Sequence, residues 1–440
     1  MKEFSMFSVR ARLCLMMFLE IFIWGAWLPL IFGYLEGLHF TPLQQGLILN
    51  AFAICSITTL LFSTEIADRY FAAEKFLFVS HLIGGVAMLG LFFAKDFNTF
   101  LLCMFVHSFF YVPTISVANS ISFANIKNSH EFGQIRLWGT IGWIAASWPF
   151  IFILADWEKI PAYGSVPFVT WIGQVFGNAI SGEPLLKATS YAFIVSAVAS
   201  ILCAIVSITL PHTPPKPKLA NTSMAWIESL KLLKHPFMLV LFIVTLLDAS
   251  VHQCYFLWTG SFLKDQVGIP SNWVTPTMSV GQIAEIVTMA GLGYVLKTFG
   301  WKTTMIVGIL GHFVRFGVFA FAPAKEYVIA VILLHGICYA FFFATVYIFV
   351  DQVFPKHMRS TAQGLFNLVI LGFGPVIGNF LWPVVLEYFK KDGHVQYNII
   401  FWFPSLTAGM AALFLLLFFH PPMITNETLI DPETVEIETI

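Results

Sequence analysis

The sequence has 440 residues, 58% hydrophobic and only 11% charged, with a mean hydropathy of +0.81 and a formal net charge of −1. Soluble domains carry about 25% charged and roughly 45–50% apolar residues, so an ordinary water-soluble protein is excluded. Forty-eight Phe and 13 Trp suit lipid-facing and interfacial positions, and the balanced charge speaks against a nucleic-acid partner, which needs a basic face. The composition is that of an integral membrane protein.

A spanning helix needs about 20 mostly apolar residues. In chain order such runs lie near 12–33, 44–66, 76–94, 98–122, 134–154 and 188–210, then near 238–262, 276–297, 303–322, 327–350, 360–388 and 397–419. The reading is all-α, with twelve spans in two sets of six. No stretch alternates polar and apolar residues over about ten positions, which excludes a lipid-facing β-barrel. The first run is too long for a signal peptide and lacks a small-residue cleavage site.

With both termini cytoplasmic, fifteen of the 23 Lys and Arg fall on the inner side and seven on the outer, Arg315 lying within a helix. That bias sets the N-terminus inside. The expected units are a first bundle over 1–210 with an outer loop at 155–187, a linker at 211–235, a second bundle over 236–419, and a tail at 420–440. The outer loop is rich in Pro, Gly and Trp and reads as a lid or a tolerated insertion. The linker opens PHTPPKPK and continues SMAWIESLKLLKH, an amphipathic pattern suited to the inner membrane surface. The tail is acidic and poor in apolar residues. Cys14, Cys55, Cys103, Cys203, Cys254 and Cys338 all fall in apolar runs without a CxxC, and read as packing residues.

Six plus six helices around a cytoplasmic linker is the layout of the major facilitator superfamily, whose halves flank a mid-membrane substrate site. TEIADRYFAAEK (64–75) resembles that superfamily's second-to-third loop signature, with Asp68 and Arg69 in place and Thr64 where Gly is usual. The matching segment of the second half, GYVLKTFGWK (293–302), has lost the acidic residue. An Asp at such a helix end can bind a neighbouring helix N-terminus and release it as the halves rock, so Asp68 and Arg69 are candidates for a conformational switch.

An ionisable side chain at the bilayer centre costs about 2.5–3.5 kcal/mol on insertion scales, so each one asks for a reason. Glu285 lies midway along the eighth span, with Gln282 one turn before it on the same face. Such a pair can bond a hydroxylated ligand or a nucleobase edge, or brace a neighbouring helix. Arg136, Thr140 and Trp143 recur at i, i+4 and i+7 of the fifth span, joining a cation, a hydroxyl and an aromatic plane suited to a planar polar ligand; near a helix end, Arg136 can equally snorkel to the interface. His335 and Tyr339 share a face of the tenth span, Gln253 and Phe256 one of the seventh. Glu20, in the first span, is a proton site or a packing residue; Asp248 and Arg315 read as structural. Pro113 and Pro375 are expected to kink their helices. There is no P-loop, HExxH or GxSxG. No enzyme activity, metal site or cofactor is indicated, and the energy source is an ion gradient or the solute's own.

The segments IRLWGTIGW (135–143), VPTISVANSISF (112–123), FLWTGSFL (256–263), GQIAE (281–285), LHGICYAFFF (334–343) and RSTAQGLFN (359–367) resemble the bacterial nucleoside:proton symporters of the major facilitator superfamily. The likeness runs from the WGAWL of the first span to the twelfth. It implies a nucleoside site drawn from the fifth, seventh, eighth and tenth helices. Carried over by motif, Arg136, Thr140, Gln282 and Glu285 match directly. Trp143 replaces a Phe, Gln253 aligns with a glutamine, Phe256 replaces a smaller polar contact, and His335 and Tyr339 fall at aromatic positions. Many members carry an Asp immediately after the Tyr339 position, linked there to proton coupling; this chain has Ala340. The resemblance then leaves coupling to Glu285 or Glu20, or implies its loss. The expected function is proton-coupled nucleoside import across the cytoplasmic (inner) membrane by alternating access, by a monomer whose partners are the nucleoside, H+ and the bilayer. The rivals are a sugar or oligosaccharide porter of the same fold, an uncoupled nucleoside facilitator, and a non-transporting membrane sensor or lipid-modifying enzyme.

Overall fold

A computed structural model of the chain describes residues 2–59, 71–126, 129–214, 230–354 and 356–421, without the side chains of 2–8, 129–131 and 356–361. Asp68 and Arg69, most of the expected linker, and the tail from 422 onward lie outside the described residues.

The first half comprises α1 (Lys2–Gly37), α2 (Pro42–Thr58), α3 (Ala73–Phe93), α4 (Phe97–Ala124), α5 (Ser129–Ser147) and α6 (Tyr191–Ile208). In the second half α7 is Pro236–Asp265, and α8 and α9 are the two arms of Val274–Phe321, which turns at Gly300. There φ is +71°, a conformation glycine adopts without strain. α10 runs over Lys325–Val353, α11 over Lys356–Tyr388 and α12 over Tyr397–Phe418. Among the described residues nine helices are long and apolar enough to cross a membrane. The division at Gly300 and the helices α2 and α5 make the structure consistent with twelve crossings.

Local chemistry fixes the helix starts. Thr41 and Gln44 form a reciprocal capping box with Pro42 in the first turn of α2. Asp96 Oδ1 accepts the Thr99 N–H at 3.0 Å and caps α4. The chain leaving α6 is tied to the start of α3: Glu74 accepts the Thr213 N–H at 3.0 Å and lies 2.7 Å from His212.

Packing within each half is close where glycine permits. Cβ atoms at Gly142 and Gly336 would run into the backbone of Phe18 and of Glu285, which presses α5 onto α1 and α10 onto α8. Between halves, α2 packs on α11, α5 on α8 and α1 on α7. The α2–α11 and α5–α8 pairs exchange under a two-fold relation of the bundles, as expected of parallel repeats.

π-helical turns interrupt α10 at Tyr339–Ala344 and α11 at Leu368–Phe373. The second has a sequence cause. Pro375 has no N–H to offer residue 371, and the turn before it widens. All six cysteines are free thiols within the helices.

Candidate functional site

A cavity of about 390 Å³ lies between the two halves, within the range of small-molecule sites. The nine positions nominated for solute contact all line it: Arg136, Thr140 and Trp143 from α5, Gln253 and Phe256 from α7, Gln282 and Glu285 from α8, His335 and Tyr339 from α10.

The α5 face is built by helical spacing. Arg136 folds back over Gly139, where a Cβ would lie 2.6 Å from its Nη1. Thr140 and Trp143 continue the same stripe. The Trp143 ring stands edge-on to Trp24 at 5.5 Å and 85°, and meets Phe256 of the other half at 6.1 Å. Trp24 in turn stacks on Phe52 at 4.7 Å. An aromatic wall therefore crosses the interface between the halves.

Opposite it, Arg315 Nη1 donates to His335 Nδ1 at 3.1 Å, which leaves the ring proton on Nε2. That nitrogen lies 3.3 Å from the terminal amide of Gln282, whose oxygen has no other partner and accepts the ring proton once the amide is turned to present it. The Arg315 guanidinium is fully buried, 4.4 Å from the Tyr255 ring centroid. Gln253 Nε2 donates to Asn379 Oδ1 at 2.8 Å, and Asn379 Nδ2 donates to Asn50 Oδ1 at 3.0 Å, linking α7, α11 and α2. Most polar groups at the wall are thus held before any solute arrives. The Glu285 carboxylate is different: it makes no hydrogen bond to another described residue, and Arg136 is near enough to act on it electrostatically. A cation from one half and a carboxylate from the other face a common space, with bonding capacity to spare.

Glu20 does not line this cavity. It is buried in the first half, where Oε2 lies 2.8 Å from His81 Nε2 and Oε1 accepts the Thr114 hydroxyl at 2.6 Å. Glu20, His81 and Cys203 lie together there, with atoms within 4.8 Å of one another. Ala340 is buried and also off the cavity.

Several lining residues have no counterpart in the sequence reading: Trp24, His252, Tyr347, Asn367 and Asn379. The Tyr347 hydroxyl donates to Asn367 Oδ1 at 2.6 Å, joining α10 to α11. His252 had a usable signal, since it follows Asp248 by one helical turn within an apolar span.

The end of the bundle carrying loop 155–187 is bridged between the two halves. Asn272, fully buried ahead of α8, donates to the carbonyls of Ile151 at 3.3 Å and Val175 at 3.2 Å. Trp273 Nε1 donates to the Phe176 carbonyl at 2.9 Å, and Thr275 Oγ1 to that of Ser147 at 3.3 Å. The loop is a strap from the first half onto the second.

The family model of the nucleoside H+ symporters matches residues 7–161 and 153–423. The chain is 33% identical over 385 residues to the putative nucleoside transporter YegT of Escherichia coli, covering 86% of this chain and 84% of that one. It is 27% identical over 432 residues to the xanthosine permease of the same organism, covering 94% and 95%. A crystal structure of the nucleoside transporter NupG superposes with a TM-score of 0.74 at 23% identity, over 93% of this chain and 98% of that one. A D-xylose–proton symporter superposes at 0.69 with 13% identity. At such identities the superpositions establish the fold, that of the major facilitators, and the sequence match establishes the kinship. Helices, cavity and sequence agree: this multi-pass membrane protein belongs to the nucleoside H+ symporter family, a family of transporters and not of enzymes.

Proposed function

We propose that the chain imports nucleosides across the cytoplasmic membrane, coupled to protons, by alternating access. Its halves, 1–210 and 236–419, rock about the cavity, and both termini face the cytoplasm. The observation that carries this reading is the meeting of Arg136 and Thr140 with Gln282 and Glu285 around one cavity, beside the Trp143 wall. A nucleoside offers the matching groups: ribose hydroxyls and base-edge donors for Gln282 and Glu285, base-edge acceptors for Arg136 and Thr140, and a flat base for Trp143 or Tyr339. The relatives' names, nucleoside transporter and xanthosine permease, support the same solute class.

Because the site is shared between halves, a solute that bonds both favours the state in which they are drawn together. That differential contact is what lets a solute move the equilibrium. In this reading the strap at Asn272 holds the outer end together, which corresponds to the arm of the cycle sealed from outside. Of the two carboxylates considered for coupling, Glu285 is reached from the cavity and Glu20 is engaged elsewhere. No cofactor enters the scheme; the proton gradient supplies the energy.

Glu285→Gln tests the site. The variant should reach the membrane folded and lose uridine uptake, because the amide puts an NH2 donor where the carboxylate has its second accepting oxygen. Wild-type uptake by Glu285→Gln would remove the residue from the site.

A further inference from the structure

Behind the cavity wall of the second half runs another chain of polar groups. Asp248 on α7 and His312 on α9 are both fully buried, with Asp248 Oδ1 3.0 Å from His312 Nδ1. The other nitrogen of that ring, Nε2, lies 3.3 Å from Nδ1 of His252. His252 stands one turn beyond Asp248 on α7 and lines the cavity. The order is carboxylate, imidazole, imidazole, cavity.

Each imidazole can accept a proton at one nitrogen and release one from the other. A proton taken up at His252 Nε2 frees the one on Nδ1 to His312 Nε2, and His312 passes its Nδ1 proton to Asp248 Oδ1. One proton enters, one O–H bond is made on Asp248, and both rings end neutral in their other tautomers.

The surroundings suit a group that alternates between two charge states. An ionised carboxylate cut off from water demands a counter-charge. Arg315, on α9 one turn from His312, supplies one without touching Asp248. Neither is saturated: Asp248 Oδ2 and Arg315 Nε and Nη2 have no hydrogen-bond partner. The other ionisable groups facing the chain are Cys254 and Tyr255 of α7 and His335, Cys338 and Tyr339 of α10. The state of Asp248 also has a route to the solute. His252 stacks on His335 at 5.0 Å and 29°, and His335 joins Arg315 to Gln282.

We propose that Asp248 holds the coupling proton, loaded from the cavity through His252 and His312. This rests on the nucleoside-symport reading and moves the proton from Glu285 to Asp248, leaving Glu285 to the solute. Asp248→Asn, which fixes the protonated form in shape and charge, and His312→Gln, which breaks the relay, are reconstituted in proteoliposomes beside the wild type. Three readings are taken: counterflow of labelled uridine at equal pH, accumulation under an inward proton gradient, and the external pH change on adding uridine in weak buffer. The wild type is expected to show all three. Both variants should still exchange uridine, while the pH change disappears and the internal-to-external ratio falls to about 1, the limit for an uncoupled carrier.

Accumulation and a pH change at wild-type level in either folded variant would overturn the proposal. So would loss of counterflow together with coupling in both, which is the signature of a network that only builds the fold. If Asp248→Asn does not fold, His312→Gln decides by the same readings. Absence of counterflow in the wild type would instead refute the nucleoside reading, and the proposal would fall with it.

Discussion

Asn272→Ala should open the strapped end of the transporter. The side chain donates two buried hydrogen bonds across the halves, at 3.3 and 3.2 Å, to carbonyls that the substitution leaves without it. At about 1 kcal/mol net for each bond, the closed state loses about 2 kcal/mol relative to an open state in which those carbonyls meet water. With 1.4 kcal/mol per tenfold, the open-to-closed ratio rises about 30-fold. The remaining ties, Trp273 to Phe176, Thr275 to Ser147 and Lys390 to Glu36, keep closure from being abolished. Spin labels at Glu183 and Asp392, exposed residues of the first and second halves at that end, read the change as a pulsed-EPR distance distribution in a background free of the native cysteines. A second, longer distance should gain population in the variant. Trp157→Phe is the control, because Trp157 Nε1 bonds the Phe152 carbonyl within its own half. An unchanged distribution in Asn272→Ala, or the same shift in Trp157→Phe, would refute the assignment of the strap.

Base–aromatic stacking is worth about 1–3 kcal/mol, so Trp143→Ala should raise the KM for uridine by about fivefold to 150-fold, with Trp143→Phe much closer to wild type; equal KM values in all three would take the ring out of the site. Gly336→Ala should lower the melting temperature in detergent and impair uptake, since its methyl group meets the Glu285 backbone and overpacking costs about 1–3 kcal/mol. Gly291→Ala, which meets nothing within 4 Å, should be neutral in the same assays. Glu20→Gln should keep gradient-driven accumulation, because the carboxylate serves His81 and Thr114 away from the cavity. Accumulation lost with exchange retained would place the proton at Glu20.

The fold is legible in the sequence because a bilayer allows few solutions: backbone groups must be satisfied within the span, and apolar length then marks each helix. Even the boundary between the eighth and ninth spans, expected between 297 and 303, falls at Gly300. Site residues that announce themselves by spacing on one helix were also accessible, as with Gln282 and Glu285 or Arg136, Thr140 and Trp143. What the sequence hides is pairing between distant helices. Asp248 reads as a structural acid until His312, 64 residues on, is placed against it. Asn379 has no visible role until Gln253 and Asn50, 126 and 329 residues away, are found on either side of it. Tyr347 and Asn367 bond across two helices that each carry a π turn, a deviation no 3.6-residue period predicts. Asp68 and Arg69 lie outside the described residues, so their switch role stays with the motif alone.

The most direct measurement is the uptake of labelled uridine and adenosine into proteoliposomes containing the purified chain, with and without an inward proton gradient. Accumulation above the external concentration when the gradient is present, and its collapse when a protonophore is added, is the predicted result. Equal internal and external concentrations under both conditions would contradict proton coupling, and no nucleoside flux under either would contradict the solute assignment itself.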